Sequence, residues 1–478
     1  MRRWFLVAFS SLVLAACSSS SSPNDGAGGA ASDPTAEILG RKAPTSGCAQ
    51  ESCGPDADDF FDEGKLATLK ISFDPADLKA FGFTPDKWLD LLWSKWKFCN
   101  SNYTWIPATV EYESPDHKGD VKLERVGVRL RGSKGRGTNA VQGMKLEFKK
   151  LIPNPPAGQD DRRFADLNQI NLLSVEKDKS IMLQCLSYEL MRNFGVPAPR
   201  CNHLQVVVNG EPYGVMQSVE KTNDGPFLRH RFGDNDGGLF GGSTSCVLEN
   251  PYGASLDYEG DTFTGEYLKS YEIVRGDVGT AERELIPMFK CGDATATPDD
   301  DEFKACISDW IDVEEWLKVI AGESLISQLE SFIGARRNVY MYFLPDAAAP
   351  HGGRFKVWGW DYDTGIQRTT CNPNAASGIG CNPFTSVAKW FDLPGVRPQL
   401  VTRLTSVFKA EYCQAMQSFL NDVYKPERVD EIAAGLDAAM QTTVAPAYDE
   451  WQAEVAHMRD YMDKQLVAQQ SIVAEACK

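Results

Sequence analysis

The chain predicts an α+β fold, a strand-rich N-terminal part followed by a helical C-terminal part. Two observations carry this. Between about 66 and 220, short runs place an apolar residue at every second position, the period of a half-buried strand. From about 311 the recurrence widens to three or four residues, broken only by two short strands.

The chain opens Met1-Arg2-Arg3-Trp4. Its apolar run, Phe5-Leu6-Val7-Ala8-Phe9 then Leu12-Val13-Leu14, is shorter than the roughly 20 residues a membrane-spanning helix needs. A basic start, a short apolar stretch and small residues before a cut mark a secretory signal peptide, here residues 1–16. Leu14-Ala15-Ala16-Cys17 resembles the bacterial lipobox, which implies acylation of Cys17 and a lipid anchor in the cell envelope. By the same resemblance, Ser18 favours the outer membrane. Residues 17–45, mostly Ser, Gly, Ala, Pro and Asp, have little to bury and read as a flexible tether.

Charge and cysteine usage narrow the partners. Lys and Arg total 49 against 66 Asp and Glu, a net charge of −17, which argues against nucleic acid or an anionic membrane surface. Of 13 cysteines, 12 remain once Cys17 is set aside, and an even number in an exported chain reads as disulfides. The short-range pairs expected are Cys48–Cys53, Cys291–Cys306 and Cys371–Cys381. Five histidines and no Cys-x-x-Cys argue against zinc.

In chain order, strands are expected at Leu66–Phe73, Val126–Arg131, Met144–Phe148, Ile170–Leu173, Leu204–Val208 and Tyr213–Val219. Asn209-Gly210 is a hairpin turn, since both residues tolerate positive φ. A helix is expected over 179–194, ended by Gly195-Val-Pro197, and a long one from Trp316 to Ile333. Strands Val339–Phe343 and Phe355–Trp360 follow, then helices at Leu400–Leu420, 427–441 and 447 to about 475.

Three segments could carry chemistry. Arg129-Leu-Arg131-Gly-Ser133-Lys-Gly-Arg-Gly137 is a glycine-rich basic hairpin that could lay N–H groups and cations around phosphates, with Lys145 on the next strand. An exposed basic hairpin would look the same. Trp360-Asp361-Tyr362-Asp363-Thr364-Gly365 ends an apolar strand in carboxylates, which could hold Mg²⁺ or simply cap an Asp-rich turn. Glu330 to Asn338 runs from a helix end into a strand; an acidic residue, a loop and an asparagine there repeat the logic of a kinase catalytic centre.

Taken in order, these pieces resemble the CotH kinase family over roughly residues 65–420. The resemblance rests on Gly127-Val-Arg-Leu-Arg-Gly-Ser133 with Lys145, and on Asn171-Leu-Leu173 followed by Asp178. It continues through Phe194-Gly-Val-Pro-Ala-Pro199, Val208-Asn-Gly-Glu-Pro-Tyr-Gly-Val215 and Val219-Glu220, and closes on Asn338-Val-Tyr-Met-Tyr342 and Trp360-Asp-Tyr-Asp363. It implies a two-lobed, atypical protein-kinase-like fold in a domain set at 60–425, with a C-terminal helical extension at 426–478. It also implies binding of ATP with Mg²⁺ (or Mn²⁺) and phosphate transfer to Ser or Thr of an acceptor protein.

Position by position, the resemblance implies that Lys145 neutralises the phosphates, with Arg131, Ser133 and Glu220 in the nucleotide pocket. Asn338, Asp361 and Asp363 hold metal, and Glu330 orients or deprotonates the acceptor hydroxyl. The chain departs from the family pattern at Glu330, where aspartate is common, and at Leu183 and Gln184, where an arginine and a polar residue are. Glu330, the compartment and the cysteines suit a second reading: a surface binding, adhesion or envelope-assembly protein that keeps the fold without turnover.

Overall fold

The computed structural model describes residues 52–80, 82–89, 105–131, 141–149, 162–173, 178–242, 254–328, 330–334, 336–366, 398–443 and 446–478. Seven strands close into a barrel: β1 (Ala67–Phe73), β2 (Ile106–Glu113), β3 (Val121–Leu130), β4 (Met144–Glu147), β5 (Gln169–Leu172), β6 (Cys201–Val208) and β7 (Glu211–Val219). Their order is β1-β2-β3-β4-β5-β7-β6, closed by the parallel pairing of β1 with β6; every other pairing is antiparallel. Closure removes the open edges that an exposed sheet would leave unpaired.

Alternation in the sequence marks β1 and β4. In β1, Leu69, Ile71 and Phe73 are buried while Lys70 and Ser72 are not. In β4, Met144 and Leu146 turn into the barrel and leave Lys145 on the outer face, level with Arg129 and Asn171 on its neighbours. The Asn209-Gly210 turn forms as expected, with φ of 53° and 86°. β2 was not anticipated, although Ile106, Ala108, Val110 and Tyr112 alternate; Pro107 sits inside it and a bulge follows.

Among the described residues, the α-helices of eight residues or more are α1 (Leu183–Asn193), α2 (Gly225–Phe232), α3 (Leu285–Gly292), α4 (Asp300–Trp310), α5 (Val313–Leu325), α6 (Gln399–Val407), α7 (Lys409–Ser418), α8 (Arg428–Met440) and α9 (Tyr448–Ala476). A four-stranded antiparallel sheet, β9-β8-β10-β11, joins β8 (Leu239–Gly242), β9 (Tyr271–Arg275), β10 (Val339–Pro345) and β11 (Gly353–Gly359). Barrel, sheet and helices bury one continuous apolar cluster, and a smaller aromatic one (Phe227, Tyr340, Tyr342, Trp358) lies between α2 and the sheet. The architecture is α+β.

Three departures from the expected elements matter below. Helix α5 stops at Leu325 rather than running to Ile333, because Ser327 takes φ of 56° and turns the chain. The segment expected as one helix from 400 to 420 is two, α6 and α7, broken at Phe408 and continued by a π-helical turn at Phe419–Val423. The C-terminal helix packs on the body. Trp451 Nε1 donates to Ser180 O at 3.0 Å, and Gln465 and Gln469 Nε2 donate to Leu325 O at 3.0 and 2.7 Å.

Disulfides join Cys291–Cys306, as expected, and also Cys185–Cys201 and Cys413–Cys477, which sequence spacing did not reveal. Cys17, Cys48, Ser133, Cys371 and Cys381 lie outside the described residues. Among the described residues, no helix is long and apolar enough to cross a membrane.

Candidate metal and phosphate site

The ends of β10 and β11 lie side by side, and Trp360 N donates to Asn338 O at 2.8 Å just beyond the last paired residues. Two residues there sit in the left-handed region, Asn338 at φ 54° and Asp361 at φ 57°. Asn and Asp adopt it more readily than other side-chain-bearing residues, so the turn selects the polar groups that could serve it. Each carboxylate of Glu330, Asp361 and Asp363 brings an oxygen within 4.8 Å of the other two. Glu330 is buried and Asp361 and Asp363 are half-buried. Three carboxylates of this spacing suit one hard divalent cation such as Mg²⁺.

The loop that carries them is cross-tied. Glu330 N donates to Thr364 Oγ1 at 3.3 Å, Thr364 donates to Gln328 Oε1 at 3.0 Å, and Gln328 Nε2 donates to Asp361 O at 3.0 Å. The left-handed Ser327 makes this possible, since a helix carried on to Ile333 would hold Gln328 and Glu330 in its own turns. Glu330 therefore stands with the metal carboxylates, where the sequence placed it only as the group facing the acceptor hydroxyl. Asn338 Nδ2 is buried with no hydrogen-bond partner, an orphaned donor that an oxyanion beside the cation would satisfy.

Beneath the loop, Tyr362 donates to Glu323 Oε1 at 2.8 Å, and Gly359 leaves them room: a Cβ there would lie 2.1 Å from that oxygen. Glu323 is fully buried on α5, and burial raises its pKa to about 8. Helix α1 supports the same loop, through Gln184 and Tyr188, both of which touch Asp361.

The opposite charge comes from the barrel. Lys145 is buried on the outer face of β4, and its pKa is lowered to about 7, first by burial and then by Arg129, Lys221 and Arg131. A buried lysine amid cations is a place that favours an anion. Arg131 bridges the two halves: it adds to the field on Lys145, and its guanidinium lies 5.7 Å over the Trp360 ring, next to Asp361. Glu220 is placed otherwise. Its buried carboxylate accepts from Arg200 N at 3.0 Å and is paired with the Arg200 guanidinium, which lines a separate cleft of about 310 Å³ with Asp58, Arg163 and Arg229.

Of the residues named from sequence, the fold gathers Glu330, Asp361 and Asp363 in one cluster, with Asn338 at the adjoining strand end, and sets Lys145 and Arg131 in one positive field. Sequence reasoning missed the supports Tyr188, Glu323, Gln328 and Thr364, and read Gln184 only as a departure. The one local signal was the four-residue spacing of Gln184 and Tyr188, which puts both on one helix face.

The CotH kinase protein family matches residues 128–468, well over half of the chain. The chain belongs to this family. The inner spore coat protein H of Bacillus subtilis (strain 168) is 24% identical over 204 residues, 42% of this chain and 51% of that protein. The chain thus spans about half the length of this curated relative. A Shewanella oneidensis complex of HipA, HipB and operator DNA aligns over 65% of this chain and 60% of that chain, at 12% identity and a TM-score of 0.29. The family match runs to 468, across the boundary placed at 425 from sequence and through most of α9.

Glu323 yields a direct test of the buried layer. Its folded pKa, about 8, lies above the usual 4.5, so the folded state holds a proton that the unfolded state releases. Stability should therefore fall as pH rises from about 4.5 to about 8, and level off above. Glu323→Gln, which keeps the acceptor for Tyr362, is expected to remove that slope and to be the more stable protein at pH 8 by a few kcal/mol. Urea melts of both proteins at pH 5 and pH 8 check it; parallel pH dependences would refute it.

Proposed function

We propose that the protein binds ATP with Mg²⁺ (or Mn²⁺) and transfers the γ-phosphate to a serine or threonine hydroxyl of an acceptor protein, the barrel and the helical body serving as the two lobes. The observation that carries this reading is two groups of unlike charge linked through one arginine: a buried lysine amid cations on the barrel, three clustered carboxylates on the segments before β10 and after β11, and Arg131, which adds to the field on Lys145 and lies over Trp360, next to Asp361. A polyphosphate with its cation is the ligand whose charges match both halves.

Lys145 and Arg131 neutralise phosphate oxygens, while Asp361, Asp363 and Asn338 hold the cation and Glu330 lies beside them. The bound cation would supply neutralisation of the charge on the phosphate oxygens. In transfer, the hydroxyl oxygen forms the new bond to the γ-phosphorus as the bond to the bridging oxygen breaks. The electron pair leaves on ADP, and the hydroxyl proton passes to Glu330. Because the transition state is loose, positioning and charge do most of the work.

Glu330 also favours a second reading, a binding or envelope-assembly protein on the same fold. Its extra methylene relative to aspartate moves the carboxylate by more than about 1 Å, enough to cost a large factor in a positioned reaction.

Incubation with γ-labelled ATP and Mg²⁺ or Mn²⁺ separates the two. Label on the wild type that is lost in Lys145→Ala and Asp361→Ala is the expected result. Nucleotide that raises the melting temperature without label would favour the binding protein, and neither effect would sink both. Nucleotide affinity should also tighten as pH falls from 8.5 to 6.5, because an anion favours charged Lys145 and binding above about pH 7 must take up a proton. Lys145→Arg should flatten that profile.

Export with acylation at Cys17 is the location that the leader and the disulfides support. Cells fed labelled palmitate should yield a labelled, membrane-associated protein, and Cys17→Ala should abolish both properties. Retention of the label in the variant would reject the anchor.

A further inference from the structure

Asp361 is fixed by side chains rather than by sheet pairing. Its backbone N–H donates to Tyr188 Oη at 2.9 Å, Tyr188 donates to Gln184 Oε1 at 3.3 Å, and Gln184 Nε2 returns to Asp361 Oδ1 at 3.4 Å. The three residues close a ring of hydrogen bonds. A fourth tie, from Gln328 Nε2 to Asp361 O, leaves the peptide groups on both sides of this left-handed residue held by side chains.

We propose that Gln184 and Tyr188 are positioning residues, and that their ring determines which carboxylate oxygen of Asp361 is presented to a divalent cation. This rests on the cation reading of the Glu330–Asp361–Asp363 cluster above.

Direction in the ring is not free. Tyr188 is fully buried with its ring stacked on Tyr362 at a centroid distance of 5.0 Å, so its hydroxyl has no water to turn to. With its lone pair engaged by Asp361 N–H, the hydroxyl proton must point to Gln184. That in turn fixes the Gln184 amide, with Oε1 toward Tyr188 and Nε2 toward Asp361. Oδ1 is then occupied from the α1 side, and Oδ2 is the oxygen left for the cation.

The platform beneath is rigid. Leu183 N donates to Asp178 Oδ2 at 2.7 Å at the first turn of α1, and Cys185, the residue after Gln184, is bonded to Cys201 on the barrel. Removing a partner that orients a metal-binding carboxylate commonly changes metal affinity by about 10- to 100-fold.

The test is Mn²⁺ binding, read as free Mn²⁺ by electron paramagnetic resonance, on the disulfide-intact full chain without nucleotide. Tyr188→Phe and Gln184→Met are each expected to weaken binding about tenfold. The double variant should lose little more than either alone, since a ring broken once is already open. Ile320→Val, buried in α5 away from the ring's hydrogen bonds, lowers stability and should leave the affinity unchanged.

Wild-type affinity in both single variants would overturn the proposal, as would a double variant whose loss is the product of the two. Should Tyr188→Phe fail to fold, Gln184→Met decides alone. Wild-type binding that Asp361→Ala leaves intact, or no wild-type binding at all, would remove the cation reading and the ring's role together.

Discussion

The placing of helix α1 is the constraint on which the site depends. It is held to the barrel by the Cys185–Cys201 bond at its first turn, and its side chains hold the loop after β11. Asp178 fixes where it starts: its carboxylate accepts from Leu183 N, Ser180 Oγ and Gln217 Nε2, donors that offset part of the rise in pKa that burial imposes. The barrel thus sets α1, and α1 sets Asp361. An error of an ångström at any of these contacts would be passed on to the carboxylates, because packed interiors transmit displacement rather than absorb it.

Two groups of unlike charge are supplied by different parts of the fold, Lys145 and its neighbouring cations by the barrel and three carboxylates by the segments before β10 and after β11. Burying Lys145 among other cations disfavours its charged form, which is a cost to the fold. An anion bound beside it would relieve that cost. Arg131 of the barrel lies over the Trp360 ring, next to Asp361, and adds to the positive field on Lys145.

What could be read from the sequence follows the range of the interactions. Alternation in β1 and β4 and the Asn209-Gly210 turn are local, and they were legible. Strand β8, Leu-Phe-Gly-Gly, shows no alternation because its glycines exist to let neighbours approach: a Cβ on Gly242 would meet Val339 Cγ1 at 2.4 Å. The end of α5 was misread for a similar reason. Nothing in the periodicity of 316–333 announces a turn at Ser327, since the groups that stabilise it come from residues 361–364 and from α9. The donors and carboxylates of the site carry chemistry in their own side chains and could be named. Tyr188 and Glu323 look like core residues at helical spacing, and only the fold shows what they touch.

The C-terminal helix belongs to this argument rather than to an appendage. A helix that ends inside a protein leaves carbonyl groups without intrahelical partners. At the end of α5, Leu325 O accepts from both Gln465 and Gln469, and Gln465 also reaches Ser327 Oγ at 3.1 Å. These two glutamines are fully buried, and they supply the hydrogen bonds that allow α5 to stop where it does. Had the helix continued, Gln328 could not reach Asp361 nor Glu330 join the carboxylates. The Cys413–Cys477 bond ties the far end of α9 to α7, which packs on α5, so the helix that ends α5 is itself held against it. Residues beyond 425 therefore help to hold the end of α5, and with it the segment that carries Gln328 and Glu330, as far along α9 as Gln469.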